Sequence, residues 1–398
     1  MQSETQTENS ISFDEFKSQI LEDYRTAVTS RECSLLGRRE VLTGKAKFGI
    51  FGDGKEVPQL AMAKAYKNGD FRSGYYRDQT FMMAINELSP EQFFAGLYAD
   101  TNMENEPMSA GRQMGGHFMT HSIDENGDWV NLMEQKNSSA DISPTAGQMP
   151  RLLGLAQASK IYRNVKGIDA EKFSDNGNEV AWGTIGNAST SEGHFWETVN
   201  AAGVLQVPMV LSVWDDEYGI SVHAKHQTTK ENISEILKGF QRDENNNGYE
   251  ILVVEGWDYP LLIDTYEKAS QIARTEHCPV LIHVIELTQP QGHSTSGSHE
   301  RYKSEERLKW EKEHDCNLKF RNWIIENDFA TSDQLDELEK QIKREVRGAK
   351  QKAWNAYLQP TIEKKKELVR LLEEVAATSS NANFLNSIKK EVSGNREP

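Results

Sequence analysis

The sequence predicts an α/β fold, with helices wound on both faces of a mainly parallel sheet, and three observations point to it. Four short runs, EVAWGTI (179–185), VPMVLSVW (207–214), YEILVVEG (249–256) and CPVLIHVIEL (278–287), are β-branched and apolar on both faces, as strands buried between two layers are. Helix-like stretches lie between them at 191–206, 230–240 and 261–276. Strand, helix, strand repetition is the order that builds a doubly wound parallel sheet.

In chain order, residues 1–12 are polar and acidic and read as a disordered leader. Residues 13–45 read as helical, because Phe13, Phe16, Ile20 and Tyr24 recur three or four apart. From about 46 to 290 glycines alternate with apolar runs. Residues 303–330 mix charge with Trp310, Phe320, Trp323 and Ile324. The stretch 333–354 places Leu335, Leu338, Ile342 and Val346 on one face of an amphipathic helix. Residues 360–398, rich in Lys and Glu and then in Ser and Asn, read as a linker or tail. The predicted organisation is a leader and helix over 1–45, an α/β domain over 46–330, and C-terminal helices with a tail over 331–398.

Lys and Arg total 45 against 61 Asp and Glu, a formal net charge of −16. Such a surface repels nucleic acid and anionic lipid, and no basic patch stands out before the C-terminal helices. The three cysteines, Cys33, Cys278 and Cys316, are far apart and form no CxxC pair, which speaks for a reducing compartment and against a disulfide scaffold or a cysteine-rich zinc site. The N-terminus lacks the basic and apolar regions of a signal peptide, and no apolar run approaches a membrane span. These features predict a soluble cytoplasmic protein with neither nucleic-acid nor membrane partners.

Three motifs fall short of their templates. GIFGDGKE (49–56) nearly spells a P-loop, but Glu56 stands where a hydroxyl should reach magnesium, so a Gly-rich turn is the better reading. GHSTSG (292–297) has Ser296 where a nucleophile elbow needs glycine, leaving a loop that carries His293 and Ser294. His117 and His121 are spaced like zinc ligands on a helix, yet the flanking glycines disfavour a helix. A fourth feature is stronger. GNAST (186–190) sits at a strand-to-helix junction, and the next strand runs into WDDEYGIS (214–221). In a parallel sheet both segments emerge side by side at the carboxyl edge, where ligands bind. Helix-start amides suit a phosphate. Asn187, Asp216 and the main-chain carbonyl of Tyr218 would offer three hard oxygens to magnesium, the alternative being a capped helix beside an acidic loop.

Residues 183–221 resemble the thiamine diphosphate motif of the α subunit of 2-oxo acid dehydrogenase E1 components. That motif opens Gly-Asp-Gly and closes about 30 residues later with Asn-Asn; here Gly186-Asn187-Ala188 opens it and Asp215-Asp216 closes it. SGYYRDQ (73–79) is similar to the family's Tyr-Arg-Asp-His segment, ISPTAGQMPRLLGLAQASKIYR (142–163) to its aminopyrimidine segment, and QGHSTS (291–296) to its His-Gly-His-Ser loop. The similarity runs over roughly 15–355. It implies a sheet of the thiamine diphosphate-binding, transketolase-like type with helical extensions. It also implies cofactor contacts from Tyr76, Arg77, Ser143, Thr145, Gly186, Asn187, Ala188, Ser189, Asp216, Tyr218 and His293. Magnesium would lie on Asn187, Asp216 and Tyr218, an exchanged acid–amide pair, with Asp215 orienting a neighbour.

The chemistry so implied is oxidative decarboxylation of a 2-oxo acid, with the acyl unit passed to a lipoylated E2. His293, at an ordinary histidine pKa, would donate a proton or orient the lipoyl group. The position of Ser294 is phosphorylated in mitochondrial members; here a plain loop hydroxyl is expected. ISPTAG looks closer to branched-chain members than to pyruvate members. Ile50, Gln79 and Gln291 replace family histidines. The glutamate that ionises the aminopyrimidine belongs to a β subunit or a fused β half, so an α2β2 assembly is expected. Two further readings are a cofactor-free scaffold and an α/β hydrolase on GHSTSG.

Overall fold

The computed structural model describes residues 12–295 and 297–394. In chain order the helices are α1 (Phe13–Leu42), α2 (Glu56–Ala65), α3 (Gln79–Ala84), α4 (Pro90–Tyr98), α5 (Gln148–Asn164), α6 (Gly193–Leu205), α7 (Ile233–Ile236), α8 (Tyr259–Glu276), α9 (Glu305–Glu313), α10 (Cys316–Glu326), α11 (Ser332–Thr378) and α12 (Ala382–Gly394). The strands are β1 (Phe71–Ser73), β2 (Asn137–Ser138), β3 (Ala181–Gly186), β4 (Met209–Trp214), β5 (Tyr218–Gly219), β6 (Val222–His223), β7 (Glu250–Glu255) and β8 (Val280–Ile285). Six of them form one sheet in the order β2-β1-β3-β4-β8-β7, every pair parallel. The remaining two, β5 and β6, make a small antiparallel hairpin.

The pleat sorts the core into two layers. Val210 and Trp214 of β4, with Trp182, Val280, Ile282 and Val284, face a cluster that includes Leu60 and Met62 of α2 and Leu262 and Tyr266 of α8. Met209, Leu211 and Val213, with Ala181, Ile185 and Leu281, face Met149 and Leu152 of α5 and Phe195 and Val199 of α6. Apolar side chains on both faces of each strand therefore have a helix layer to meet, which is what the sequence pattern required. Burying one such Val, Leu or Phe is worth about 1.5–3 kcal/mol.

The four predicted strands correspond to β3, β4, β7 and β8. β1 and β2 have no signature of their own, being two or three residues long, and β1 carries a charge. That charge, Arg72, is wholly buried. Its guanidinium donates to Asp78 Oδ2 (2.8 Å), Ser138 Oγ (2.8 Å), Asp141 Oδ2 (3.0 Å) and the Tyr75 carbonyl (3.1 Å). Thr184 of β3 donates to the same Asp78 oxygen at 2.5 Å.

The expected linker over 360–398 is instead helical as far as Gly394. α11 runs unbroken for 47 residues, through Pro360, and α12 returns against it with Lys389 on Glu373 (3.3 Å). Leu368, Leu371 and Val375 continue a stripe three and four apart, and pairs such as Arg370–Glu374 support the exposed side, so the charge-rich composition encodes a helix. The predicted leader lies outside the described residues except for Ser12, which caps α1 reciprocally with Glu15. No described helix is long and apolar enough to cross a membrane.

Replacing Arg72 with Met leaves Asp78 and Asp141 buried without their cation. Urea unfolding of Arg72→Met is expected to show a loss of about 3–5 kcal/mol, as for other broken buried pairs.

Candidate functional site

β3 and β4 are in register so that Gly186 lies opposite Trp214. The segments that follow, 187–191 and 215–219, therefore leave the sheet side by side at its carboxyl edge. A cavity of about 290 Å³ opens there. Its walls include Tyr76, Arg77, Thr145, Gly186, Asn187, Ala188, Ser189, Asp216, Tyr218 and His293, which the sequence had pointed to. Ser143 is not among the lining residues; its hydroxyl is held by His117 Nε2 at 3.0 Å. The phosphate-ready amides expected at the start of α6 are also displaced, because α6 begins only at Gly193 and the wall is made by the preceding 3₁₀ turn.

The near-P-loop has a different purpose. Gly54 has φ +87°, and a Cβ there would stand 2.2 Å from the Thr288 carbonyl; a Cβ on Gly52 would stand 2.2 Å from the Arg77 carbonyl. Only glycine allows this close approach, and the approach drives Lys55 into the cavity floor. The residue is 1% exposed, and its ammonium donates to Asp216 Oδ2 (2.8 Å), Gln289 Oε1 (2.8 Å) and the Thr288 carbonyl (3.0 Å). All three ammonium hydrogens are thus used. Burial works to raise the Asp216 carboxyl, but Lys55, with Lys303 and Arg77 beyond, outweighs it and holds that carboxyl below the ordinary range. Glu56, which spoiled the P-loop match, turns away to Arg31 (2.6 Å).

Arg77 joins two loops. It donates to the Phe51 carbonyl (2.5 Å) and, from its other terminal nitrogen, to His293 Nδ1 and the His293 carbonyl (both 3.0 Å). An arginine can only donate, so Nδ1 accepts and the imidazole proton sits on Nε2. Burial, and then the Arg77 charge, push the imidazole down from 6.5 to about 4. The expected ordinary pKa is therefore corrected: at neutral pH His293 is an uncharged hydrogen-bond donor rather than an imidazolium acid.

The acidic loop is gripped from below. Asp215 accepts His283 Nε2 (2.9 Å) and the Glu217 amide (2.8 Å), and His283 Nδ1 meets Ser234 Oγ (2.9 Å). Arg307 donates to the Asp216 carbonyl at 3.0 Å. Two non-glycine residues here adopt left-handed backbone, Glu217 (φ 63°) and Ile220 (φ 58°). For a β-branched side chain that conformation is strained, and such strain persists where the surroundings over-determine the loop.

His117 and His121 do not converge. Each bonds a separate main-chain carbonyl, of Met114 (3.0 Å) and Pro107 (2.7 Å), and no helix carries them. Among the described residues no cluster of three or more His, Cys, Asp or Glu is placed to hold a metal ion. GHSTSG forms no strand-to-helix elbow: its 292–295 segment is a loop whose Ser294 is buried, and Ser296 lies outside the described residues. The cavity also uses Lys55, Gln227, Gln289, Tyr302 and Lys303, which the sequence reading passed over. Lys55 carried a signal, a cation between two glycines and a helix start. Lys303 carried none, because it sits in a charged stretch that reads as a solvated face.

The lining fits a diphosphate. Three cations, Lys55, Arg77 and Lys303, stand in its wall against one carboxylate, Asp216. A divalent ion fits less well. Asp216 Oδ1 accepts the Tyr218 amide (3.2 Å) and Oδ2 the Lys55 ammonium, so the one acid of the expected metal triad is already neutralised.

Ile220→Asn keeps the left-handed turn without a branched Cβ; it is expected to gain about 1 kcal/mol in chemical unfolding. For His293, NMR titration should give a midpoint near 4, shifted upward in Arg77→Met. Between that midpoint and 6.5 the unfolded chain binds a proton that the folded chain refuses, so this group's contribution to stability falls as pH drops through the interval.

Residues 24–363 match the dehydrogenase E1 component family. The chain is 26% identical over 329 residues to the 2-oxoisovalerate dehydrogenase subunit alpha of Bacillus subtilis, covering 81% of this chain and 86% of that one. It is 25% identical over 338 residues to the pyruvate dehydrogenase E1 component subunit alpha of Acholeplasma laidlawii, covering 83% and 82%. It is 24% identical over 326 residues to the mitochondrial 2-oxoisovalerate dehydrogenase subunit alpha 1 of Arabidopsis thaliana, covering 80% of this chain and 60% of that longer one. With the greater part of its length matched, and with alpha subunits as its relatives, the chain belongs to the dehydrogenase E1 component family.

Proposed function

We propose that this chain is the α-type E1 component of a 2-oxo acid dehydrogenase complex, acting on a branched-chain 2-oxo acid or on pyruvate. The observation that carries the reading is the cation-rich cavity at the junction of β3 and β4, floored by the segment that resembles the family's cofactor motif. Thiamine diphosphate, when bound, supplies the carbanion and electron sink for decarboxylation. The chain's residues would do the rest. Arg77 and Lys303 offset diphosphate charge, the 186–189 turn gives its main chain to the same end, and Thr145 lines the same cavity. His293 offers its Nε2 proton as a neutral donor, in a position Arg77 fixes. Ser143 would act through His117 rather than on the cofactor itself. The magnesium expected at Asn187, Asp216 and Tyr218 is not carried into this reading, because Lys55 stands on Asp216.

A partner follows from what the cavity lacks. Among the described lining residues the acid is Asp216, and no glutamate is present to ionise an aminopyrimidine. Residues 356–394 form helices rather than an α/β layer. A β-type subunit, or a fused β half, would supply the glutamate in an α2β2 assembly, and a lipoylated E2 would take the acyl group.

The test is co-expression with a β-type subunit and assay of a 2-oxo acid panel with an artificial electron acceptor. Turnover is expected only from the pair, and turnover by the purified chain alone would overturn the requirement for a partner. A pair that neither turns over any acid of the panel nor shows a thermal shift with thiamine diphosphate would overturn the enzyme reading in favour of a scaffold.

A further inference from the structure

The position of Lys55 bears on how this cavity holds an anion. Its side chain reaches Asp216 across 161 residues of sequence. It is seated by two glycines that tolerate no Cβ, and it spends its three hydrogens on Asp216, Gln289 and the Thr288 carbonyl. None of these bonds is incidental, because a fully buried ammonium survives only when paired and hydrogen-bonded. The oxygens that could ligate a divalent ion are those of Asn187, which is neutral, and Asp216, whose single negative charge Lys55 cancels. A magnesium ion there would meet protein ligands with no net negative charge and an ammonium beside them, leaving the diphosphate as its sole source of anionic oxygens. Hard divalent ions are bound through carboxylate charge, and a fixed cation at contact distance from the one carboxylate opposes them.

From this geometry we infer that the Lys55 ammonium occupies the place of the divalent cation by pairing with Asp216, and that the chain binds its diphosphate cofactor without a metal ion, on the positive charge of the neighbouring wall, Arg77 above all. Because its hydrogens and its charge are spent on this floor, Lys55 acts by neutralising an Asp216 carboxylate that would otherwise repel the diphosphate, while direct hydrogen bonds come from neighbours in the wall. The exchange of acid and amide between positions 187 and 216 then has a reason. Lys55 reaches the β4 loop, so the carboxylate that holds it stands at 216, and an amide suffices at 187. The inference rests on the cofactor reading above, and two independent readouts separate them.

The first readout is calorimetric titration of thiamine diphosphate into the full chain assembled with its β-type partner, in EDTA and again in millimolar magnesium. The two dissociation constants are expected to agree within about threefold, and Lys55→Met to weaken binding in EDTA by about tenfold or more, as the loss of a desolvated charge would. Binding that appears only with magnesium would overturn the inference and leave the cofactor reading standing; binding in neither buffer would overturn both. The second readout needs no cofactor and no partner. Manganese titrated into the wild-type chain, followed by its free-ion electron paramagnetic resonance signal, is expected to stay unbound. Lys55→Gln, one bond shorter but still a hydrogen-bond donor, removes the charge and should create a manganese site that Asp216→Asn abolishes. Manganese bound by the wild-type chain, and lost in Asp216→Asn, would overturn the inference whatever the cofactor does.

Discussion

Arg72 projects from a three-residue strand into the centre of the molecule, where its guanidinium meets acceptors from Tyr75, Asp78, Ser138 and Asp141. Asp78 in turn takes the Thr184 hydroxyl and, at 3.4 Å, the Trp214 indole. One ion cluster therefore ties β1 to β2, β3 and β4, and it does so just behind Tyr76 and Arg77. Gly74 completes it, because a Cβ there would lie 2.2 Å from Asp78 and 2.4 Å from Arg72. A charged cluster this deep adds little net stability over a well-packed apolar core, but it admits a single arrangement of the segment that presents Arg77. The cavity inherits its shape from that choice.

The cavity is held by opposed charges in layers. Lys55 and Asp216 form its floor, Lys303 closes a wall while paired with Glu311 (2.6 Å), and Asp215 lies beneath with His283. The Lys303 ammonium also stands 4.9 Å from the centre of the Tyr218 ring. The wall is thus net positive while each cation is individually anchored, so an incoming anion meets groups that need little reorganisation.

What the sequence made legible follows from the physics of each part. β3, β4, β7 and β8 were readable because strands buried on both faces must be apolar throughout, and their order placed residues 187 and 216 on neighbouring loops. β1 and β2 were not, since two or three residues carry no periodicity and Arg72 looks polar until its partners are in place. Of the cavity lining, the turn 186–189, Tyr76, Arg77, Asp216 and His293 stand in segments that motif resemblance singles out. Lys55 was hidden because its meaning lies in a contact between distant segments, and Ser143 was misplaced because the pairing that claims it, with His117, is equally remote. The tuning of His293 depends on burial and on Arg77, neither of which is written in its own segment. Residues 360–394 misled because a charge-rich composition fits a solvated helix as well as a tail.

The segment that carries His293 is fastened from the opposite side too. Arg38, on α1, donates to the carbonyls of Gln291 (2.8 Å), Ser294 (3.0 Å) and Gly297 (3.4 Å), and α1 is itself linked to α11 through Arg25 and Glu345. This rim of the cavity behaves as a latch anchored in the outer helices. To swing it aside, a guanidinium must surrender three acceptors together, so the hold on the imidazole is set from the helical periphery as well as from the sheet.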